Sequence, residues 1–85
     1  MYQTIDEEIA VAGVFQHKKF LPKKFLWREK TYIIHEITLH TLIKEHGEQS
    51  QQLACIAGGA HDVFRLSFDQ KNNQWKLREI WIEGA

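Results

Sequence analysis

Basic and aromatic side chains are interleaved in one short segment of the chain. Residues 16–30 hold six basic residues and one acidic residue, a net charge of +5 in a protein whose formal charge is zero. The basic residues are Lys18, Lys19, Lys23, Lys24, Arg28 and Lys30, with Phe20, Phe25 and Trp27 among them. Because cations bind phosphates and aromatic faces stack on bases, this segment predicts a nucleic-acid contact. The competing interpretation is structural, with Phe25 and Trp27 in the core and Lys24 and Arg28 in water.

The histidines and the single cysteine raise the question of a metal site. His35, His40 and His46 are spaced by five and six residues, and Cys55 follows nine residues later. The chain has neither a C-x-x-C nor an H-x-x-x-H motif, and His35 and His40 would point to opposite faces of a strand. We therefore expect no metal and no cofactor. His35 is expected to be a core histidine, and Cys55 a small buried hydrophobe.

Catalytic motifs are also missing from the sequence. Ser50, Ser67 and Cys55 stand in no recognisable nucleophile context. The Gly58-Gly59 pair is not a phosphate loop, because no Lys-Ser/Thr follows it. We expect the protein not to be an enzyme.

Trp81 is the candidate residue for a protein–protein contact. The alternation of the last apolar segment slips near Glu79, so that either Trp81 or the pair Ile80 and Ile82 faces outward. An exposed Trp81 with Tyr2 nearby would be a typical binding hot spot. A bulge would instead return Trp81 to the core, and the sequence leaves both interpretations open.

Six segments have the composition or the period-two alternation of β-strands, at 9–15, 23–28, 31–43, 53–57, 63–68 and 75–82. Pro22 is expected to interrupt the chain, and turns are expected at Glu29-Lys30, at Gly58-Gly59 and over 69–73. A capping-box pattern at Thr4 and Glu7 allows one helical turn over residues 4–8. A helix near 36–46 is the main alternative to the third strand.

Short connections without βαβ spacing predict an all-β fold in a single domain spanning residues 1–85. We expect a meander of about six antiparallel strands that forms a small barrel or a strongly curled sheet. In the third strand, the odd positions from Ile33 to Ile43 are the expected core face. The predicted centre of the core consists of Phe15, Phe25, Trp27, Ile33, Ile37, Phe64, Leu66, Phe68, Trp75 and Leu77.

The sequence carries no targeting signal that we recognise. The first fifteen residues lack the basic head and apolar run of a signal peptide. No apolar stretch approaches the ~20 residues of a membrane helix. With a single cysteine, these features predict a cytoplasmic protein that does not contact membranes. The oligomeric state is not indicated.

Three aromatic motifs resemble a known family. Residues 22–32 contain P-x-x-F-x-W-x(4)-Y, formed by Pro22, Phe25, Trp27 and Tyr32, and Phe64-Arg65-Leu66 and Trp75-Lys76-Leu77 follow. This pattern resembles a small uncharacterised bacterial β-domain, and it is similar to the C-terminal region of inactive Y-family DNA polymerase relatives. The resemblance spans residues 9–82. It implies the β-fold and an association with DNA-repair machinery, and it brings no catalytic residues.

These observations predict a non-catalytic accessory binding module. In the first hypothesis the module is linked to DNA repair and contacts nucleic acid through the basic segment, residues 16–30; a DNA-repair protein is the other expected partner. The alternative is a protein–protein interaction domain that uses an exposed edge or an aromatic patch near Trp81.

Overall fold

The computed structural model describes residues 1–82, except for the side chains of Glu45 and Glu48. Its six strands are β1 (Tyr2–Gln16), β2 (Lys19–Trp27), β3 (Lys30–Glu45), β4 (Glu48–Ala57), β5 (Asp62–Asp69) and β6 (Gln74–Trp81). Each strand pairs antiparallel with the next, and β6 pairs with β1, so one sheet closes into a ring. The predicted all-β meander is confirmed. Within residues 1–82 there is no helix of the length and apolar character needed to cross a membrane.

Two-residue turns join the first four strands. Both residues of each turn have positive φ: 53° and 63° at His17-Lys18, 49° and 64° at Arg28-Glu29, and 51° and 76° at His46-Gly47. This geometry matches the right-handed twist of the flanking strands. Only one of the six residues is glycine, although side chains disfavour positive φ. Pairing across the sheet therefore overrides local preference. The second turn lies one residue earlier than predicted, and the Gly58-Gly59 turn extends to four residues, 58–61.

The core lies where β4, β5 and β6 face β2 across the ring. Its fully buried side chains include Phe25, Cys55, Leu66 and Leu77. The Phe25 ring stacks on Tyr32, with centroids 5.1 Å apart, and meets Phe64 edge-on at the same separation. Burial raises the pKa of the Cys55 thiol to about 12, so the thiol stays protonated and unreactive. Cys55 is thus the small buried hydrophobe that the sequence predicts.

Seven of the ten predicted core residues lie inside the ring. Phe25, Phe64, Leu66 and Leu77 are buried, and Trp27, Phe68 and Trp75 are half-buried. The prediction is wrong for Phe15, Ile33 and Ile37, which are exposed.

The predicted core face of β3 is wrong from its first residue, Ile33, and two bulges change the alternation further along the strand. Tyr32 pairs with Phe25 and lies inside, which turns Ile33 outward, 52% exposed. Register shifts follow between Ile34 and Glu36 and between Ile37 and Leu39. Each bulge adds one residue and so exchanges the inward-facing and outward-facing positions. Neither the odd nor the even positions of β3 therefore face the core along the whole strand.

The histidine of this segment is also not in the core. The His35 side chain is exposed, its ring contacts His61, and its Nε2 lies 3.1 Å from the Gly58 carbonyl oxygen. The alternative helix over 36–46 is wrong as well, because β3 continues to Glu45.

Three predictions about the first two strands are corrected. Residues 4–8 form no helical turn, because β1 begins at Tyr2 and absorbs this segment with a bulge between Thr4 and Glu7. Phe15 lies near the tip of the β1–β2 hairpin, and it is 80% exposed. Pro22 does not interrupt the chain, because it lies within β2 opposite Gly13.

Pro22 is accommodated because of its place in the hairpin ladder. Gln16 and Lys19 flank a two-residue turn and therefore form a hydrogen-bonded pair, so alternation makes Gly13 and Pro22 a non-hydrogen-bonded pair. The missing N–H of Pro22 would point away from β1. On that side β2 pairs with β3 only from Lys24 onward. Pro22 therefore has no partner strand there, and the sheet loses no backbone hydrogen bond because of it.

Candidate functional site

Four lysines form an exposed row along one strand, which we call the lysine strip: Lys18, Lys19, Lys23 and Lys24. Lys18 lies in the β1–β2 turn, and the other three lie on β2. Lys24 pairs with Ala12 on one side and Ile33 on the other, so its side chain points to the outside of the ring. No acidic residue occurs between Ile9 and Arg28. The strip is therefore a surface of one sign.

The aromatic residues predicted to bind nucleic acid do not lie beside the lysine strip. Phe25 is 1% exposed and faces the core, while Phe20 is half-buried between Phe15 and Trp75, at centroid distances of 5.4 and 6.3 Å. Phe15 is the ring that projects into solvent near the β1–β2 turn, on the same face of the hairpin as its partner Phe20 and on the opposite face from Lys19. The sequence analysis missed it because apolar alternation gives no signal of where a hairpin extends beyond its neighbours.

Arg28 is held by Glu7. Its Nε donates to Glu7 Oε1 at 3.1 Å, its Nη2 donates to Glu7 Oε2, and its guanidinium lies 4.7 Å from the centre of the Trp27 ring. Trp27 Nε1 donates to the same Glu7 Oε1 at 3.0 Å. These bonds lower the pKa of Glu7 and raise that of Arg28. Arg28 is predicted from the sequence to bind phosphate. Its guanidinium instead pairs with Glu7 and lies against the Trp27 indole.

The Glu7 contacts make folding stability depend on acid pH. Hydrogen bonds from Arg28 and Trp27 hold the Glu7 pKa below its ordinary value of 4.5. The contribution of Glu7 is therefore complete above pH 4.5 and is lost as the pH falls through the lowered pKa. We expect Glu7→Gln to destabilise the protein at neutral pH, and the difference from wild type to shrink in that acidic window. Urea unfolding measured across the window, with Glu8→Gln as the outward-facing control, checks this; a difference that does not change with pH would contradict it.

A cavity of about 320 Å³ opens at one end of the ring, and we call it the ring mouth. Trp27 and Tyr32 line it, with centroids 5.9 Å apart, and Lys30 places its Nζ 5.3 Å from the centre of the Tyr32 ring. Asp62 and the backbone of residues 58–60 complete the rim. Lys30 thus belongs to this cavity and not to the lysine strip.

Trp81 is on the outside of the ring. It is 38% exposed and meets the 47% exposed Tyr2 edge-on, with centroids 4.7 Å apart. Arg65 lies 4.7 Å from the centre of the Tyr2 ring and donates to its hydroxyl at 3.2 Å. The neighbouring Ile80 is buried. The outward alternative for Trp81 is therefore the one that the structure adopts, and Tyr2, Arg65 and Trp81 form what we call the aromatic patch.

The remaining titratable side chains form no recognisable reaction centre among the described residues. No group of three or more His, Cys, Asp or Glu side chains is placed to hold a metal ion in that part of the chain. Another cavity of about 350 Å³ lies on the outer face and is lined by hydroxyl, amide and charged side chains, among them Ser50, Gln52, Ser67 and Lys76.

A comparison with protein families matches residues 1–82 to a family described as a domain of unknown function, DUF6504. Comparisons with curated proteins and with solved structures find no match.

Proposed function

The chain belongs to the DUF6504 family, and we propose that it is a non-catalytic module that binds single-stranded nucleic acid through the lysine strip. The observation that carries the proposal is the row of four exposed lysines on an acid-free surface. None of the four takes part in the described ion pairs, which join Arg28 to Glu7, Arg65 to Glu79 and Arg78 to Asp6. Their charges are therefore available to phosphates.

The geometry favours a single strand over a duplex. The strip follows β2, where a strand advances about 3.3 Å per residue, so its ends at Lys19 and Lys24 lie about 16 Å apart. The exposed Phe15 ring lies near the same hairpin end on the other face, so a flexible single strand that passes around the turn can stack an unpaired base on it. We propose a setting in DNA repair because of the resemblance in the aromatic motifs, and a location in the cytoplasm because of the single cysteine.

Replacing Lys18, Lys19, Lys23 and Lys24 together with glutamate is expected to abolish binding. Four neutralised phosphates predict a slope of about −3 for log K against log salt with a single strand. Fluorescence anisotropy with a labelled oligonucleotide at several salt concentrations measures both the loss and the slope.

A control with the same change in charge separates the strip from the total charge of the protein. Lys23→Glu with Lys24→Glu should weaken binding strongly, whereas Lys44→Glu with Lys76→Glu, on β3 and β6, should leave it nearly unchanged. Equal losses in the two double variants would contradict the proposal, as would wild-type protein that does not bind at low salt.

The aromatic patch supports a second candidate function, protein–protein interaction. Trp, Tyr and Arg are the residue types enriched in binding hot spots, and here Tyr2 contacts both Trp81 and Arg65 on the outside of the ring. In this case the partner would be another protein of the same repair setting. Trp81→Ala should abolish capture of that partner, and the fourfold lysine variant should retain it; the opposite result favours the strip.

A further inference from the structure

We infer that the ring mouth receives the terminal nucleotide of the strand, with its base inside the cavity and its phosphate at the rim. This inference rests on the proposed function, because the lysine strip delivers the strand to the mouth. Lys24 and Trp27 lie on the same strand three residues apart, a distance of about 10 Å. A strand that follows β2 therefore reaches the mouth within one or two nucleotides of Lys24.

The ring mouth contains an aromatic side chain, Tyr32, on which a base could stack and which Lys30 already contacts. One face of Tyr32 is stacked on Phe25, and Lys30 places its ammonium over the Tyr32 ring, 5.3 Å from the centroid. A planar base can take the place of the ammonium on the ring. Lys30 has a flexible stem, so the displaced ammonium can turn to the phosphate of the same nucleotide. Lys30 thus loses its contact with the Tyr32 ring and gains a contact with the phosphate.

The side of the cavity next to Tyr32 is already ordered before a base binds. Glu7 accepts hydrogen bonds from Trp27 and Arg28 and thereby fixes the orientation of the indole. Asp62, on the opposite rim, is an acceptor for a base that carries an amino group. Because Arg28 is already paired with Glu7, Lys30 is the cation left at the rim for phosphate.

The size of the cavity restricts it to one nucleotide. About 320 Å³ lies at the lower end of the range for small-molecule sites. Beneath it the ring is filled by Phe25, Phe64 and Leu77, which leaves no path for a second base. The mouth therefore recognises an end of a strand and not its interior.

Linear and circular single strands of about thirty nucleotides, long relative to one small β-module, separate this inference from the proposed function. We expect wild-type protein to bind a linear strand with phosphorylated ends about tenfold more tightly than a circular strand of the same sequence, given the strength of one stacked base. Tyr32→Leu, which removes the stacking ring, should abolish this preference and leave the affinity for the circle unchanged. Lys24→Ala, the control on the strip, should weaken both strands equally and keep the preference.

The outcomes distinguish the two claims. Equal wild-type affinities for the linear and circular strands would overturn the terminal-nucleotide inference while the lysine strip stands. An end preference that survives Tyr32→Leu would overturn it too. Wild-type protein that binds neither strand would overturn the proposed function, and the inference with it.

Discussion

Replacing Phe25 with alanine is expected to lower the free energy of unfolding by about 3–5 kcal/mol, the usual cost of removing a buried aromatic ring. Phe25 is 1% exposed and contacts both Tyr32 and Phe64, so its loss opens a cavity that neighbouring rings cannot fill without leaving their own contacts. A domain of this length has a total stability of about 4–13 kcal/mol. The substitution therefore removes a large fraction of it.

Urea unfolding followed by tryptophan fluorescence measures this change. Phe15→Ala is the matched control, because the same side chain is 80% exposed on the neighbouring strand. It should alter stability by no more than about 0.5 kcal/mol. A Phe25→Ala variant as stable as Phe15→Ala would show that Phe25 is not the centre of the core.

Alanine at Gly13 is expected to destabilise the protein by about 3 kcal/mol or more, the upper part of the range for overpacking. A Cβ at this position would lie 2.1 Å from the Leu21 carbonyl oxygen and 2.9 Å from the Pro22 Cα. Both atoms are backbone, so no side-chain rotation relieves the overlap. Only separation of β1 from β2 at the bulge between Ala12 and Gly13 makes room for it.

Gly59→Ala is the control for the second experiment. Gly59 has no heavy atom within 4 Å of the position that a Cβ would take. It should therefore tolerate alanine with little change in the midpoint of thermal unfolding. If Gly13→Ala melts at the temperature of Gly59→Ala, the close approach of β1 and β2 at Gly13 is wrong.

Period-two patterning predicts the β5 and β2 segments well, and it fails on β3 for a physical reason. Phe64 and Leu66 lie on an unbulged stretch of β5, so alternation carries through to the structure. In β3, Ile33 points outward because its neighbour Tyr32 pairs with the buried Phe25, and the bulges before Glu36 and Leu39 change the parity further along. Ile37 pairs with the buried Cys55 and is still 37% exposed, because it lies beyond the part of β3 that pairs with β2. A bulge is visible in a sequence only where the alternation itself slips, as it does near Glu79, where the pairing of β6 with β5 skips Arg78.

The candidate site, too, can be predicted from the sequence only in part. Charge alone identifies Lys18, Lys19, Lys23 and Lys24, because exposed lysines need no partner to be placed correctly. Arg28 and Lys30 carry the same charge in the sequence, yet the turn between β2 and β3 directs them to Glu7 and Tyr32. Glu7 lies twenty-one residues from Arg28, and the antiparallel pairing of β1 with β2 brings them together.

The two ends of the described chain lie side by side. The amino group of Met1 donates to the Ile82 carbonyl oxygen, and the Ile82 amide donates to the Met1 carbonyl oxygen. All neighbouring strands except β1 and β6 are consecutive in sequence, so the loop-closure entropy of the fold is concentrated in this one pairing. Its formation is the non-local step of folding. The connectivity is cyclic in space, and a circular permutant opened at residues 70–73 would keep every strand beside its present neighbours.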